Sequence, residues 1–316
     1  MVAGLVLGGC SVRPELPQEP DTGGTPTGEI AYVVQYRWTD VPAIGDMVLA
    51  SGILYVIEDS TRVKAYLSDK ASPVVNQGLS FPEPIFVDGQ PVGRPVQLAE
   101  GEANTLWVAF LAPDKRLVQF TISAPPQPTG KWVRAAAVRQ FGGIAADRDS
   151  GFVYVADAAA NTIAKYAPSA AGGARVTVLA TEGNGDHFVR VPRGMYFFSD
   201  SLLVADSAKG WLQVLSADVP FSGRGQVLGP ADAPLVLHDP RDVWVDRDGR
   251  FYASESSEVL QITSAGVIKE IVTELDPESA QSPNAVVANT TQVWVPDPIQ
   301  GRLTIYQINT VSEGLP

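Results

Sequence analysis

The residues of this chain that could do chemistry are few, and several stand at matching places. There are only two histidines, His187 and His238, and each lies a few residues ahead of a Pro-Arg pair, Pro192-Arg193 and Pro240-Arg241. Arg94 and Asn284 hold the equivalent place in two further segments, and Ala43 and Gly142 hold it in the remaining two. Guanidinium is a planar donor fork that suits carboxylate, phosphate or sulfate. Arg94, Arg193 and Arg241 therefore point to an anion-binding surface, with Asn284, His187 and His238 beside it. The structural alternative pairs each arginine with a neighbouring acid, such as Asp157 or Asp206, or with carbonyls of the next segment. The histidines also have two readings. A catalytic zinc normally takes three protein ligands, so Asp186 or Asp239 would have to join them; otherwise they are exposed loop residues.

Five acids, Glu58, Asp157, Asp206, Glu255 and Asp297, recur in phase. An acid repeated from unit to unit serves the unit, and these are expected to cap turns by accepting backbone N–H bonds. Asp147-Arg148-Asp149 and Asp246-Arg247-Asp248-Gly249 begin like calcium loops but lack the later ligands, so they read as hairpin turns. No Gly-x-Ser-x-Gly elbow, His-Glu-x-x-His pair or phosphate loop is present. The expectation is a binding module without a cofactor, a channel calcium or zinc ion being the alternative.

A repeat positions these side chains. Tyr55-Val56-Ile57-Glu58 returns as Trp107-Val108-Ala109-Phe110, Tyr154-Val155-Ala156-Asp157, Leu203-Val204-Ala205-Asp206, Tyr252-Ala253-Ser254-Glu255 and Trp294-Val295-Pro296-Asp297. The first residues of the copies are 52, 47, 49, 49 and 42 positions apart, a period that marks one supersecondary unit used repeatedly. Each copy is preceded by a short apolar run and a polar turn, and followed by a second alternating run such as Ile163-Ala164-Lys165-Tyr166. Period-two alternation rich in Val, Ile, Tyr and Trp predicts strands. A fourth strand follows in most units: 132–138, 174–180, 225–229 and 267–273, with Ile85-Phe86-Val87 in the first. Four antiparallel strands repeated six times predict an all-β, six-bladed β-propeller. The sixth unit runs out of chain after three strands, and Ile30 to Tyr36 is a strand without a partner. The first predicted strand should therefore close the ring as the outer strand of the last blade, covering an open edge.

The pattern from Phe141 to Tyr166, with Asp147, Gly151, Val155-Ala156-Asp157 and Asn161, resembles the NHL-repeat family of six-bladed propellers. The fourth and fifth units fit well, and the second departs with Phe110 where the motif has Asp. The resemblance covers roughly residues 40 to 310. It implies the fold and leaves function open, because many activities use this scaffold. NHL-type amidating lyases hold zinc with histidines, which would fall to His187 and His238. Similar lactonases and strictosidine-synthase-like propellers hold a channel metal, which would fall to Glu58, Asn284 and Asp242. A metal-assisted lyase or lactonase is thus the alternative to a binding or scaffold module.

The N-terminal run ends in Leu7-Gly8-Gly9-Cys10, which resembles the lipobox of a bacterial lipoprotein signal. That resemblance implies cleavage before Cys10, lipid attachment at Cys10, and a place in the cell envelope. Ser11 resembles the choice that favours outer-membrane sorting. The alternative is a buried or frayed apolar terminus. Cys10 is the single cysteine, so no internal disulfide can form. Residues 11–28 are rich in Pro and Gly and read as a tether, leaving 29–316 as one propeller domain. Of the residues, 45% are hydrophobic and 18% charged, as in a globular chain, and the net charge is −12. An acidic balance argues against nucleic acid as a partner. A protein or other envelope ligand is expected, with the membrane reached through the lipid.

Overall fold

A computed structural model describes residues 29–39, 41–87, 89–111, 114–183, 187–220, 222–227, 235–262, 268–272 and 282–311. The expected lipobox (1–10) and tether (11–28) lie outside them. Every regular element among the described residues is a strand. Strand β1 (Glu29–Trp38) comes first. Blade 1 is β2 (Ile44–Ala50), β3 (Ile53–Glu58) and β4 (Arg62–Leu67). A small hairpin, β5 (Phe86–Val87) and β6 (Gln90–Pro91), leads to blade 2: β7 (Pro95–Glu100), β8 (Thr105–Phe110), β9 (Arg116–Thr121) and β10 (Pro128–Arg134). Blade 3 is β11 (Phe141–Ala146), β12 (Val153–Asp157), β13 (Thr162–Ala167) and β14 (Ala174–Glu182), with short β15 (Phe188–Val189) added in parallel. Blade 4 is β16 (Pro192–Phe198), β17 (Ser201–Asp206), β18 (Trp211–Ser216) and β19 (Gly223–Gln226). Blade 5 is β20 (Asp242–Val245), β21 (Phe251–Ser254), β22 (Val259–Ile262) and β23 (Ile268–Val272). Blade 6 is β24 (Val287–Ala288), β25 (Gln292–Asp297) and β26 (Arg302–Val311). The chain is a six-bladed β-propeller, with the first strand of each blade innermost.

β1 pairs antiparallel with β26, from Glu29 opposite Val311 to Trp38 opposite Leu303. The ring closes as the missing strand of blade 6 required. Closure is anchored by side chains as well as by the ladder. Trp38 is buried, donates its indole N–H to the Lys70 carbonyl at 3.2 Å, and meets the Tyr66 ring at 5.4 Å. The Tyr32 hydroxyl donates to Gln261 in blade 5 at 2.9 Å.

Blade 1 corrects one expectation. Ile85-Phe86-Val87 does not add to its outer edge; Phe86 and Val87 pair with Pro91 and Gln90. The edge of β4 is taken by residues 74–81, through Leu67 N–H to Val74, Asn76 N–H to Ala65 and Phe81 N–H to Val63. Pro82 and Pro84, just ahead of Ile85, lack the N–H groups a ladder needs there.

The core lies between blades. Motif-leading Tyr55, Trp107, Tyr154, Leu203, Tyr252 and Trp294 are all 0–1% exposed. Each such side chain contributes roughly 2–3 kcal/mol by leaving water. The recurring acids behave as capping groups. Asp157 accepts from Arg139 and Gln140 N–H, at 2.7 and 3.1 Å, and from Ala159 and Ala160 N–H in its own turn. Asp206 takes Arg190 and Lys209 N–H, Glu255 takes His238 N–H, and Asp297 takes Ile299 and Gln300 N–H. Glu58 departs by accepting from the Tyr66 hydroxyl. Asp157, Asp206 and Glu255 thus also grip the segment that leads into their own inner strand.

Candidate ligand-binding funnel

Inner strands run from an inlet rim, where β2, β7, β11, β16, β20 and β24 begin, to an outlet rim, where they turn into the second strands. The inlet is drawn together. Register shifts occur within the first residues of four inner strands, at Ile44/Asp46, Pro95/Gln97, Phe141/Gly143 and Pro192/Met195. Bulges of this kind re-aim side chains, and here groups reach the next blade. Asp46 accepts from Leu98 N–H at 2.6 Å, and Asp242 from Val286 N–H at 3.0 Å. The Asn284 amide donates to the Ile44 and Gly45 carbonyls, and Gly194 N–H donates to Arg241 at 2.9 Å. Gly142 and Gly143 let β11 and β16 touch backbone to backbone: a Cβ on Gly142 would stand 2.0 Å from the Pro192 carbonyl oxygen.

Asp46 and Asp242 are enclosed together at this end. Burial pushes both carboxyl groups upward, Asp242 to about 7 and Asp46 well above the usual range, and the Asp242 charge raises Asp46 further. Asp242 is half-buried and Asp46 is 8% exposed.

The residues singled out from sequence are distributed around the inlet. The side chains of Arg94 and Arg193 are exposed and form no hydrogen bond or ion pair among the described residues. Arg241 is engaged structurally, at 3.2 Å from Asp239 and 2.6 Å from the Ser282 hydroxyl. Asn284 is the inter-blade tie described above. His187 is half-buried with its ring 4.2 Å from that of Phe188, while His238 is exposed. No contact joins the two histidines. Asp186 and Cys10 lie outside the described residues. Among the described residues no three His, Cys, Asp or Glu side chains gather into a group able to hold a metal. Glu58, Asn284 and Asp242 each face a protein partner instead.

At the outlet the ring opens. A basin of about 290 Å³ is lined by residues from all six blades, among them Ser51, Glu100, Arg148, Tyr196, Trp244, Asp246, Arg247 and Asn289. Below it, and sharing Glu100, Arg148, Tyr196 and Trp244, is a narrower space of about 40 Å³ floored by Val48, Leu98, Ile144 and Met195. Together they form a funnel with an apolar throat and a polar rim.

Two hairpin turns build that rim in the same way. In residues 147–151 the Asp147 carboxylate accepts Asp149 and Ser150 N–H; in residues 246–250 the Asp246 carboxylate accepts Asp248 and Arg250 N–H. Each aspartate fixes its turn and leaves the following arginine at the funnel. Arg148 reaches Glu100 at 2.9 Å. Arg247 is exposed and makes no hydrogen bond or ion pair among the described residues. Burial raises the Glu100 carboxyl, and Arg148 and Arg247 pull it back. The Trp244 indole donates to the Ala288 carbonyl at 2.7 Å, and its ring meets Tyr196 edge-on at 5.0 Å. Burial pushes the Tyr196 hydroxyl up to about 12, within the fields of Arg148, Glu100, Asp246 and Arg247. Sequence reasoning placed Arg148 and Arg247 on hairpin turns without assigning them a role. The signal was the same Asp-Arg-Asp tripeptide at the same turn of two blades.

No protein-family description matches the chain, and no curated protein matches it in sequence. Solved structures do. A protein of unknown function from Bacteroides thetaiotaomicron VPI-5482 superposes with a TM-score of 0.66 at 10% identity, over 89% of this chain and 77% of that one. A streptogramin B lyase gives 0.56 at 12% identity, over 89% and 98%. The PQQ-bound aldose sugar dehydrogenase of Streptomyces coelicolor gives 0.57 at 11%, over 90% and 100%. Likeness at such identities shows the fold alone: the chain belongs to the six-bladed propellers, a class that hosts lyases, dehydrogenases and proteins of unknown function.

Proposed function

We propose that the protein is a lipid-anchored, cell-envelope propeller that binds a ligand without transforming it, and that the ligand seats in the outlet funnel. One observation carries this reading: all six blades contribute to a single concavity of about 290 Å³ with an apolar throat and a polar rim. Ligand sites are typically concave, largely apolar and carried on a rigid scaffold. The non-catalytic part is supported by how the repeated acids are spent, four of them on backbone N–H groups. The anchor is supported by Leu7-Gly8-Gly9-Cys10 and by the Pro/Gly-rich stretch after it. Arg94 and Arg193, exposed on the inlet rim, suit an acidic protein or envelope partner on that face.

Filling the throat tests the reading. Met195→Trp should overfill the narrow throat and push an indole up into the space above it that a ligand body would occupy. In a thermal-shift screen of small apolar and amphiphilic compounds, hits should raise the melting temperature of the native protein and not of this variant. Hits that stabilise both equally would remove the funnel from the account. For the anchor, Cys10→Ser should move the protein from the membrane to the soluble fraction; unchanged fractionation would end that part.

A further inference from the structure

We infer that the funnel selects a small monoanion with an aromatic or branched apolar body, the anion meeting Arg247 and Tyr196 and the body lying against Trp244 above the throat. This deepens the reading of the funnel as a binding site and rests on it.

The inference comes from which rim groups are already answered. Arg148 has Glu100 at 2.9 Å. Asp246 has the Arg250 guanidinium and the Tyr252 hydroxyl, each at 3.1 Å, besides its turn amides. The Trp244 N–H is taken by Ala288, so its ring offers only apolar and π surface to the lumen. What remains is a surplus of donors. Arg247 carries a full charge with no hydrogen bond or ion pair among the described residues, and the Tyr196 hydroxyl has no hydrogen-bond partner among them. Groups that only donate, or that lack an acceptor, ask for an acceptor-rich ligand; one spare cation asks for one negative charge. A cationic ligand finds no equivalent in the lining, because Glu100 and Asp246 each already have a guanidinium at hand, that of Arg250 being shared with Asp248 outside the lining. The Tyr196 hydroxyl, held up to about 12, stays protonated and able to donate at neutral pH.

The throat selects the rest of the molecule. Val48, Leu98, Ile144 and Met195 floor the throat with apolar side chains, which suit an apolar ligand body. Trp244, 9% exposed, and half-buried Tyr196 form an edge-to-face shoulder suited to a flat ring. The anion must lie at the rim, where the donors are, and the body must point inward.

Titration calorimetry of the full chain with 2-naphthoate and with its uncharged amide tests this. The native protein should bind the carboxylate roughly tenfold or more tighter than the amide, as a charge-assisted pair implies. Arg247→Ala should erase that preference while keeping amide binding, and Tyr196→Phe should reduce it. Arg224→Ala, exposed on the outer strand β19 of blade 4, should change neither affinity. Equal binding of both probes to the native protein, lost in Met195→Trp, would overturn the anion selectivity and leave the funnel as a binding site. Binding of neither probe at millimolar concentration, or binding that Met195→Trp leaves intact, would overturn both. Should Met195→Trp melt well below the native protein, Arg247→Ala and Tyr196→Phe, which leave the packed throat alone, decide the selectivity.

Discussion

Asp46 and Asp242 do at the inlet what the motif acids do at the turns: each spends an oxygen on a backbone N–H, but of the neighbouring blade. Their burial has a consequence for stability. An acid that holds its proton more tightly folded than unfolded stabilises the fold below the ordinary carboxylate range, and that contribution is lost as pH climbs through the folded value. Asp206 is raised to about 6, and Asp242 and Glu255 to about 7. Asp69, Glu102 and Asp147 are shifted the other way but keep more contact with water. The melting temperature should therefore fall between pH 5 and pH 8, by roughly 5 °C for a domain of this size. Asp242→Asn, which keeps an acceptor for Val286, should flatten the profile; a rise toward pH 8 in the native protein would contradict this assignment. Gly142 is a second residue-scale test. Its Cβ would meet the Pro192 carbonyl oxygen, which belongs to backbone and cannot swing aside. Gly142→Ala should cost about 2–3 kcal/mol by denaturant unfolding. The capping role of the acids was legible from their recurrence. The close approach at Gly142 was not, because it depends on the bulge in β11 and on the path of the next blade.

At the scale of elements, β1 carries the most testable load. Its pairing with β26 could be read from sequence, since the sixth unit lacked a strand and the chain's start offered one with period-two alternation. The outer edge of blade 1 could not be read in the same way. Ile85-Phe86-Val87 has a strand's composition, yet the edge went to 74–81, whose backbone groups meet β4 before the prolines intervene. Composition states that a segment can be a strand; donors and chain path decide which edge it reaches. Removing residues 29–38 should uncover β26 and empty the Trp38 site, giving a protein that aggregates through the freed edge. Trp38→Ala keeps the ladder and removes only the anchor, and should cost about 3–5 kcal/mol in denaturant unfolding with an unchanged m-value. A loss well under 1 kcal/mol would mean that the ladder alone closes the ring.

Across the whole molecule the two rims differ in kind. The inlet is tied by Asp46, Asp242, Asn284 and close glycine contacts, whereas the outlet opens into a funnel. Sequence reasoning looked to the inlet because Arg94, Arg193 and Arg241 recur there in phase. It read Asp147-Arg148-Asp149 and Asp246-Arg247-Asp248 as turns, which they are. That their arginines converge with Ser51, Glu100, Tyr196 and Asn289 follows only once the ring is closed, since the contributors span all six blades. Electrostatic selection by Arg247 also predicts that carboxylate affinity falls as salt rises while amide affinity holds, because Arg247 sits at an exposed rim.

Which rim takes the ligand can be read directly. Of the six tryptophans, Trp244 lines the funnel, and Trp211 opens β18 at the inlet end with the Lys209 ammonium 4.9 Å from its ring centre. Fluorine NMR of protein labelled with 5-fluorotryptophan, assigned by single substitutions, would follow both during titration with 2-naphthoate. Movement of the Trp244 resonance with Trp211 unmoved is the result predicted here. Movement of Trp211 with Trp244 unmoved would place binding at the opposite rim and contradict it.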